Sequence, residues 1–493
     1  MSRTSFSQSS GQWTGGSRRA QYKEPEDDLY KSPLQMVLSK DGRWLYVTCE
    51  NSSELLVVDT QQRKVDGNVK VGRRPYCVAL SPDEKTIYVS NRWDDNVSVI
   101  DATKLEVVRT FPVGDDPHGL LTDPGGKVLF VANLSTENVS VISTDTCEEI
   151  KTLPAGKFPF EMARSADGRF VWVTNVLSNP VAFRTPPVTE VTVLDIGEQL
   201  VAERRQLVST VTLQEIEISP DGKLALAVAQ RQKNLIPITQ IFQGWMVTFG
   251  VAVLETRPGG RAAFLLIDEM NQYYADPFGV VFSPDGRYAY ISSSAVDAVS
   301  VIDMRKVSQL LKIEDGCIGI SEETIALYAR HLGLSSEFVV DRIPTGKNPK
   351  GMAISPDGRL LYVANRLSDS ISIIDTEQRK TIGVIDLGGP KKITVLRYGE
   401  QLFNYSSISF QRQLSCNTCH PEQHKDALLY DIAIDGGMGH NLVLNRSLRG
   451  IAETAPFKWS GKNPTLRRQE GPRAAQLIFR SHGFEPAGVE AIV

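Results

Sequence analysis

The sequence predicts an all-β ring of seven four-stranded blades followed by a small, mainly α domain. Three observations carry this reading. A turn motif recurs seven times between Ser39 and Arg359. Its first four copies are evenly spaced by 42 residues. Beyond Gly389 the repeat stops and a different composition begins.

The turns are SKDGR at Ser39, SPDEK at Ser81, DPGGK at Asp123, SADGR at Ser165, SPDGK at Ser219, and SPDGR at Ser283 and Ser355. Counted from the third turn position, the last three intervals lengthen to 54, 64 and 72 residues, so the later blades carry insertions. Pro pre-sets φ, while Asp and Gly accommodate a tight reversal between antiparallel strands. Five residues past the reference stand Tyr46, Tyr88, Phe130, Trp172, Leu226, Tyr290 and Tyr362, inside alternating runs such as TIYVSN and LLYVAN that suit a strand. A second run ends near Asp, as in VSVID and ISIID, and a third leads through Gly-x-x-Pro into the next repeat. Four strands of about ten residues each account for one propeller blade. With its SPDG, YVSN or YVAN and VIDT-like segments, the chain resembles the YVTN-type β-propeller repeat family over residues 29–390.

Insertions have their own signals. Residues 306–337 contain KVSQLLKI and SEETIALYARHLGL, whose spacing predicts short amphipathic helices protruding from blade six, the second capped by Ser321. Residues 230–245 enlarge blade five and are expected to cover one mouth of the ring. Asn91, Asn133, Asn175 and Asn365 fall at the same place in four repeats, which favours a structural role at strand ends over ligand binding. His118 sits in an inter-blade segment with Asp115 and Asp116, and Arg73 and Arg74 occupy the corresponding segment one repeat earlier, predicting a solvated, mixed-charge mouth rather than a metal site.

Composition limits the function classes. A formal charge of -4 and a pI near 6.0 provide no basic field, so nucleic acid is not an expected partner. Residues 1–28 read as a flexible leader without the apolar stretch of a signal peptide. The apolar stretch from Ile236 to Leu254 is broken by Gln240, Gln243 and Gly244, so no transmembrane helix is expected. Cys49, Cys77, Cys147 and Cys317 are isolated and read as single thiols, with a Cys49–Cys77 disulfide as the alternative.

Residues 391–493 form the second predicted domain. Cys416-Asn417-Thr418-Cys419-His420 satisfies the pattern for covalent attachment of one haem c: two thiols add across the vinyl groups and the adjoining His presents nitrogen to iron. A zinc half-site would want further cysteines, and a thiol redox motif would sit in a βα unit. The surrounding pieces, GEQLFN at Gly399, LSCNTCH at Leu414, DGGMGH at Asp435, NRSLRG at Asn445 and FKWSGKNPTLRRQ at Phe457, resemble the first haem half of the bacterial di-haem cytochrome c peroxidase family. That resemblance implies a cytochrome c-like domain with His420 as proximal ligand. It also implies His440 as distal ligand, with Met438 as the alternative, and Trp459 near the haem edge.

Two departures bear on activity. No second Cys-x-x-Cys-His follows, and Gln476, Leu477 and Ile478 stand where the family places an acid/base glutamate, so one-electron transfer is favoured over peroxide cleavage. Lys458, Lys462, Arg467, Arg468, Arg473 and Arg480 make the end of the tail basic, as a solvated face or a dock for an acidic redox partner. The expectation is an extracytoplasmic, periplasmic electron-transfer protein with a propeller scaffold, or a peroxidase-like oxidoreductase built on the same haem. Because no signal peptide is visible, that localisation implies an upstream start or a fragment. The alternatives are a propeller that binds a small molecule or protein at its mouth with a vestigial tail, and a lactonase-like hydrolase.

Overall fold

The computed structural model describes residues 30–182, 185–232, 246–431 and 442–451. Seven four-stranded sheets are each built from strands in chain order, all pairs antiparallel. Their innermost strands are Pro33–Leu38, Pro75–Leu80, Pro117–Thr122, Pro159–Arg164, Ile216–Ile218, Pro277–Phe282 and Pro349–Ile354. Each packs beside the next, and the seventh meets the first, so the ring closes as predicted.

The turn motif behaves as its chemistry dictates. In blade one, Ser39 Oγ donates to Asp41 Oδ1 at 2.6 Å and accepts from the Trp44 amide at 2.9 Å. Gly358 adopts φ +72°, a left-handed conformation that L side chains rarely adopt, and a Cβ there would lie 3.0 Å from Pro284 of the preceding turn. The turn residues therefore also form a contact between blades.

Apolar cores lie between neighbouring blades. Tyr46 packs between blades one and two, Tyr88 between two and three, Phe130 between three and four, and Trp172 between four and five. Leu226 and Tyr290 continue the series, and Tyr362 fills the seam between blades seven and one. The residue repeated five positions past each turn is thus the knob by which a blade grips the next one.

The repeated asparagines are structural. Asn91 is fully buried, and its Nδ2 donates to Asn96 Oδ1 at 2.7 Å and Ser98 Oγ at 2.8 Å. A Cβ on Gly72 would lie 2.5 Å from Asn91 Cγ, and Gly114, Gly156 and Gly346 stand in the same relation to Asn133, Asn175 and Asn365.

The predicted helices in blade six are α1 (Met304–Leu311) and α2 (Glu322–Tyr328), followed by the one-turn α3 (Ser335–Phe338). Ser321 caps α2 by accepting from the Thr324 amide. They do not protrude as expected. Val307, Leu311 and Phe338 are buried in the core shared by blades five and six, because the apolar faces of short helices need a partner. In blade five, strands Leu224–Gln232 and Val247–Glu255 pair as far as Gln232 and Val247, and the rest of the expected insertion lies outside the described residues. Cys49 and Cys77 are both buried and free, with no disulfide between them.

Of the expected mainly α domain, residues 391–431 and 442–451 are described. Its described part holds α4 (Val395–Phe403), the one-turn α5 (Cys416–Cys419), three 3-10 turns and the strand pair Leu429–Asp431 and Leu442–Leu444. A cytochrome c-like domain is not shown. Instead the tail runs over one end of the ring and shares the propeller's core, with Leu414, Leu428 and Tyr430 buried against blades five and six. Among the described residues, no helix is long and apolar enough to cross a membrane.

Candidate functional site

The tail is fastened first at the seam that closes the ring. Thr394 caps α4, and the buried Arg397 donates to Ser32 Oγ at 2.9 Å, Asp369 Oδ1 at 2.8 Å and the Arg366 carbonyl at 2.8 Å. One guanidinium thereby ties blade one, blade seven and the tail. Farther along, the Ser406 hydroxyl donates to the Ala295 carbonyl at 3.0 Å, and Gln413 Oε1 accepts from the Met246 amide at 3.2 Å.

These anchors deliver α5 to the segment between blades five and six. Ser415 is its N-cap and forms a capping box with Thr418. Both hydroxyls also donate to the buried carboxylate of Asp276, Ser415 at 2.5 Å and Thr418 at 2.6 Å. Cys416 and Cys419, one helical turn apart, pack half-buried against the core of blades five and six. Burial pushes the Cys419 thiol well above its ordinary range. The Tyr430 hydroxyl donates to Asp426, accepts from Gln232 Nε2 at 2.8 Å, and lies 3.5 Å from Cys419 Sγ. Burial raises Asp426 to about 6.

His420 follows directly, its amide donating to the Cys416 carbonyl at 3.1 Å. Its Nδ1 donates to the His424 carbonyl at 3.0 Å, and burial lowers its pKa, so the ring is neutral at neutral pH. A metal-ligating His almost always donates its second ring N–H to a carbonyl or carboxylate, which fixes the tautomer. The donor set therefore fits a haem c: two thiols on one turn and an imidazole already held through Nδ1. The backbone at Arg446 also favours the protonated ring, against the effect of burial. His440, Met438 and Trp459 lie outside the described residues.

The next turn carries Glu422 into the mouth of the ring. Arg92 Nη1 donates to Glu422 Oε2 at 2.8 Å and Arg92 Nε to Asp116 Oδ1 at 3.0 Å, while Arg449 reaches Asp116 Oδ2 at 2.6 Å. Arg366 grips Glu50 Oε2 through two nitrogens at 3.0 and 2.9 Å. Burial opposes ionisation of Glu50, but Arg366, Arg74 and Arg92 together hold it down at about 2. The expected solvated mouth is thus corrected: His118 and Asp116 are buried under the tail. Arg73 remains more exposed and pairs with Asp94, and the Arg74 guanidinium bonds Asn51.

Below this charged layer, Tyr76, His118, Phe160 and Phe278 form an aromatic layer, with Tyr76 and His118 centroids 4.4 Å apart. Burial and Arg92 push His118 down to about 4. Lys350 Nζ lies 4.1 Å over Phe278, and burial pushes it down to about 8. Deeper still, Gln35 Nε2 donates to Glu161 at 3.2 Å and Glu215 at 2.9 Å. Burial raises Glu215 to about 7 and, together with the neighbouring Glu215, raises Glu161 to about 8.

Neither Asp276 nor most of the mouth was singled out from sequence. A signal was present, because Glu50, Arg92 and Arg366 directly follow the strand-end position that Cys49, Asn91 and Asn365 occupy, where blades three and four have Leu134 and Val176. Among the described residues, no group of three or more His, Cys, Asp or Glu could hold a metal ion on its own.

Fold and site define a seven-bladed β-propeller protein whose tail carries a Cys-x-x-Cys-His turn across the mouth. A family model described as "Lactonase, 7-bladed beta-propeller" matches residues 33–149 and 275–382. The chain is 32% identical over 183 residues to hydrazine synthase subunit beta of Kuenenia stuttgartiensis, covering 37% of this chain and 46% of that protein. It is 30% identical over 116 residues to hydrazine synthase subunit gamma of the same organism, covering 21% and 32%. A solved structure of Kuenenia stuttgartiensis hydrazine synthase superposes with a TM-score of 0.66 at 29% identity, over 72% of this chain and 98% of that one. The propeller is therefore related to hydrazine synthase subunits, and the chain spans less than half the length of the curated relatives it matches.

Proposed function

We propose that this chain is a subunit of an extracytoplasmic, periplasmic redox assembly, in which the propeller is the docking scaffold and the tail carries one covalent haem c. The observation that carries the reading is the pinned turn: Cys416 and Cys419 lie on a helix held by Asp276, and His420 Nδ1 is held by the His424 carbonyl. A bound haem supplies a one-electron couple. Cys416 and Cys419 would hold it covalently, His420 would ligate it, and His440 or Met438 would be the sixth ligand. Trp459 would pack at its edge. Asp276 positions the thiols, and Tyr430 with the core of blades five and six keeps water from Cys419. Protein partners are supported by the relatives, which are named as subunits, and the haem reading adds a redox protein among them.

The test is a pyridine haemochrome spectrum of chain exported through a c-type maturation system. About one acid-stable haem per chain is expected, lost in the Cys416→Ala/Cys419→Ala variant with the propeller still folded. A chain that matures without covalent haem would overturn the reading. His440→Ala should change the ligand-field spectrum, and an unchanged spectrum would assign the sixth position to Met438 or water.

A second reading, that the propeller is a binding module acting through its mouth, is favoured by the buried charged layer around Arg92 and Arg366. It predicts that the haem-free double variant keeps its partner.

A further inference from the structure

We infer that the axial mouth of the propeller is a binding site for a small carboxylate, kept closed by the tail, which lodges its own carboxylate, Glu422, in the ligand's place. This goes beyond the haem reading and stands whether or not the tail is loaded.

Arg92 is buried, and its Nη1 donates to a residue 330 positions away, Glu422 at 2.8 Å, with Glu50 Oε1 farther off at 3.7 Å. To deliver that carboxylate the chain turns left-handed at two successive non-glycine residues, with φ +53° at Glu422 and +63° at Gln423. The other charges of the mouth are already committed. Arg366 holds Glu50, and Asp116 is shared between Arg92 and Arg449.

The layer beneath Glu422 has polar capacity that Glu422 does not use. Lys350 Nζ forms no ion pair with any carboxylate of the described residues and rests on the Phe278 ring. The Tyr76 hydroxyl and His118 Nε2 are buried without a hydrogen-bond partner, and both residues are 0% exposed. His118 Nδ1 donates to the Asp116 carbonyl at 2.9 Å, so Nε2 keeps its lone pair and can only accept. Arg92, which holds Glu422, lies 5.5 Å over the Tyr76 ring, and the Tyr76 and His118 ring centroids are 4.4 Å apart, so these groups share the layer next to the Arg92–Glu422 pair.

Buried polar groups are ordinarily satisfied, and a purely structural plug would be expected to satisfy them. One ammonium, one hydroxyl and one acceptor nitrogen instead lie in the aromatic layer next to a carboxylate bound to an arginine. The complementary ligand is a small carboxylate bearing a hydroxyl or amino group. Its carboxylate takes Glu422's place on Arg92 and reaches Lys350, and its O–H or N–H donates to His118 Nε2.

The test uses the full chain with acetate and glycolate as probes. Glu422→Ala should melt at a lower temperature than the parent. Acetate should raise that temperature saturably, and glycolate should do so at several-fold lower concentration, whereas chloride at equal ionic strength should not. Arg92→Leu in the same background should abolish the rescue. If acetate and glycolate shift Glu422→Ala no more than chloride does, the inference fails. Should Glu422→Ala not fold, the parent itself serves: amide exchange of residues 416–424 should quicken with glycolate as Glu422 is displaced, and exchange that does not respond would overturn the inference.

Discussion

Thr418 Oγ1 lies 2.6 Å from Asp276 Oδ1, so the helix bearing both thiols hangs from a carboxylate between blades five and six. Ser415 donates to the other oxygen of the same carboxylate at 2.5 Å. The Cys-x-x-Cys-His turn is therefore a feature of the propeller surface as much as of the tail, and its position depends on a residue far away in sequence.

Asp276→Ala should loosen α5 without unfolding the ring. Hydrogen bonds to a charged group contribute about 1.5–3 kcal/mol each. In haem-free protein, reaction of Cys419 with a thiol reagent should then accelerate by roughly 100-fold, through easier local opening. Equal rates in variant and parent would show that α5 is held by its apolar contacts alone.

Gly72 and Asn91 should behave as one unit. A Cβ on Gly72 would fall 2.5 Å from Asn91 Cγ, inside a buried interlock. Gly72→Ala should cost about 1–3 kcal/mol, as overpacking does. Adding Asn91→Ala removes the obstacle, so the double variant should be less destabilised than the sum of the two singles. Additive denaturation midpoints would refute the interlock.

The ring was legible in the sequence because it is a repeat. Turn chemistry, strand alternation and an aromatic residue every 42 positions gave the blades, and Tyr46, Tyr88, Phe130 and Trp172 do fill consecutive seams. The Cys416, Cys419 and His420 turn was legible as a local motif, and the structure places it on one helical turn. The layer around Arg92 was not. Its partners, Asp116, Glu50 and Glu422, come from two blades and the tail, and local spacing carries no information about such a meeting. The burial of His118 was missed for the same reason, since its cover arrives some 300 residues later. The helices of blade six were foreseen, but not the shared core that draws them inward.

Stability should decline as pH rises through the range where Glu161 and Glu215 ionise. Burial raises them from 4.5 to about 8 and about 7, with Glu215 adding to the shift of Glu161. The folded state therefore binds more protons than the unfolded chain above pH 4.5. Their contribution is full below 4.5 and is lost as pH climbs towards about 8. Glu161→Gln should raise the melting temperature at pH 8 relative to the parent and change it little at pH 5. A parent and variant with parallel melting-temperature profiles between those values would rule out this assignment.

Arg397 supplies the sharpest test of how the tail and the ring depend on each other. Its guanidinium is buried, stacks 4.5 Å over Tyr30, and bonds Ser32 of the entry to blade one, Asp369 of blade seven and Glu400 of its own helix. Arg397→Met keeps most of the volume but leaves the Asp369 carboxylate without its main cation. Breaking a buried ion pair from one side costs about 3–5 kcal/mol. Because the Ser32 amide also donates to Asp369, at 2.8 Å, the loss falls on the seam where the ring closes as well as on α4. Two effects should therefore appear together: faster proteolytic cleavage near Gly388 and Gly389, and faster amide exchange in strands Pro33–Leu38 and Pro349–Ile354. Faster cleavage with unchanged exchange in those strands would mean that Arg397 anchors the tail alone and that the apolar seam of Tyr362 and Leu45 closes the ring without it.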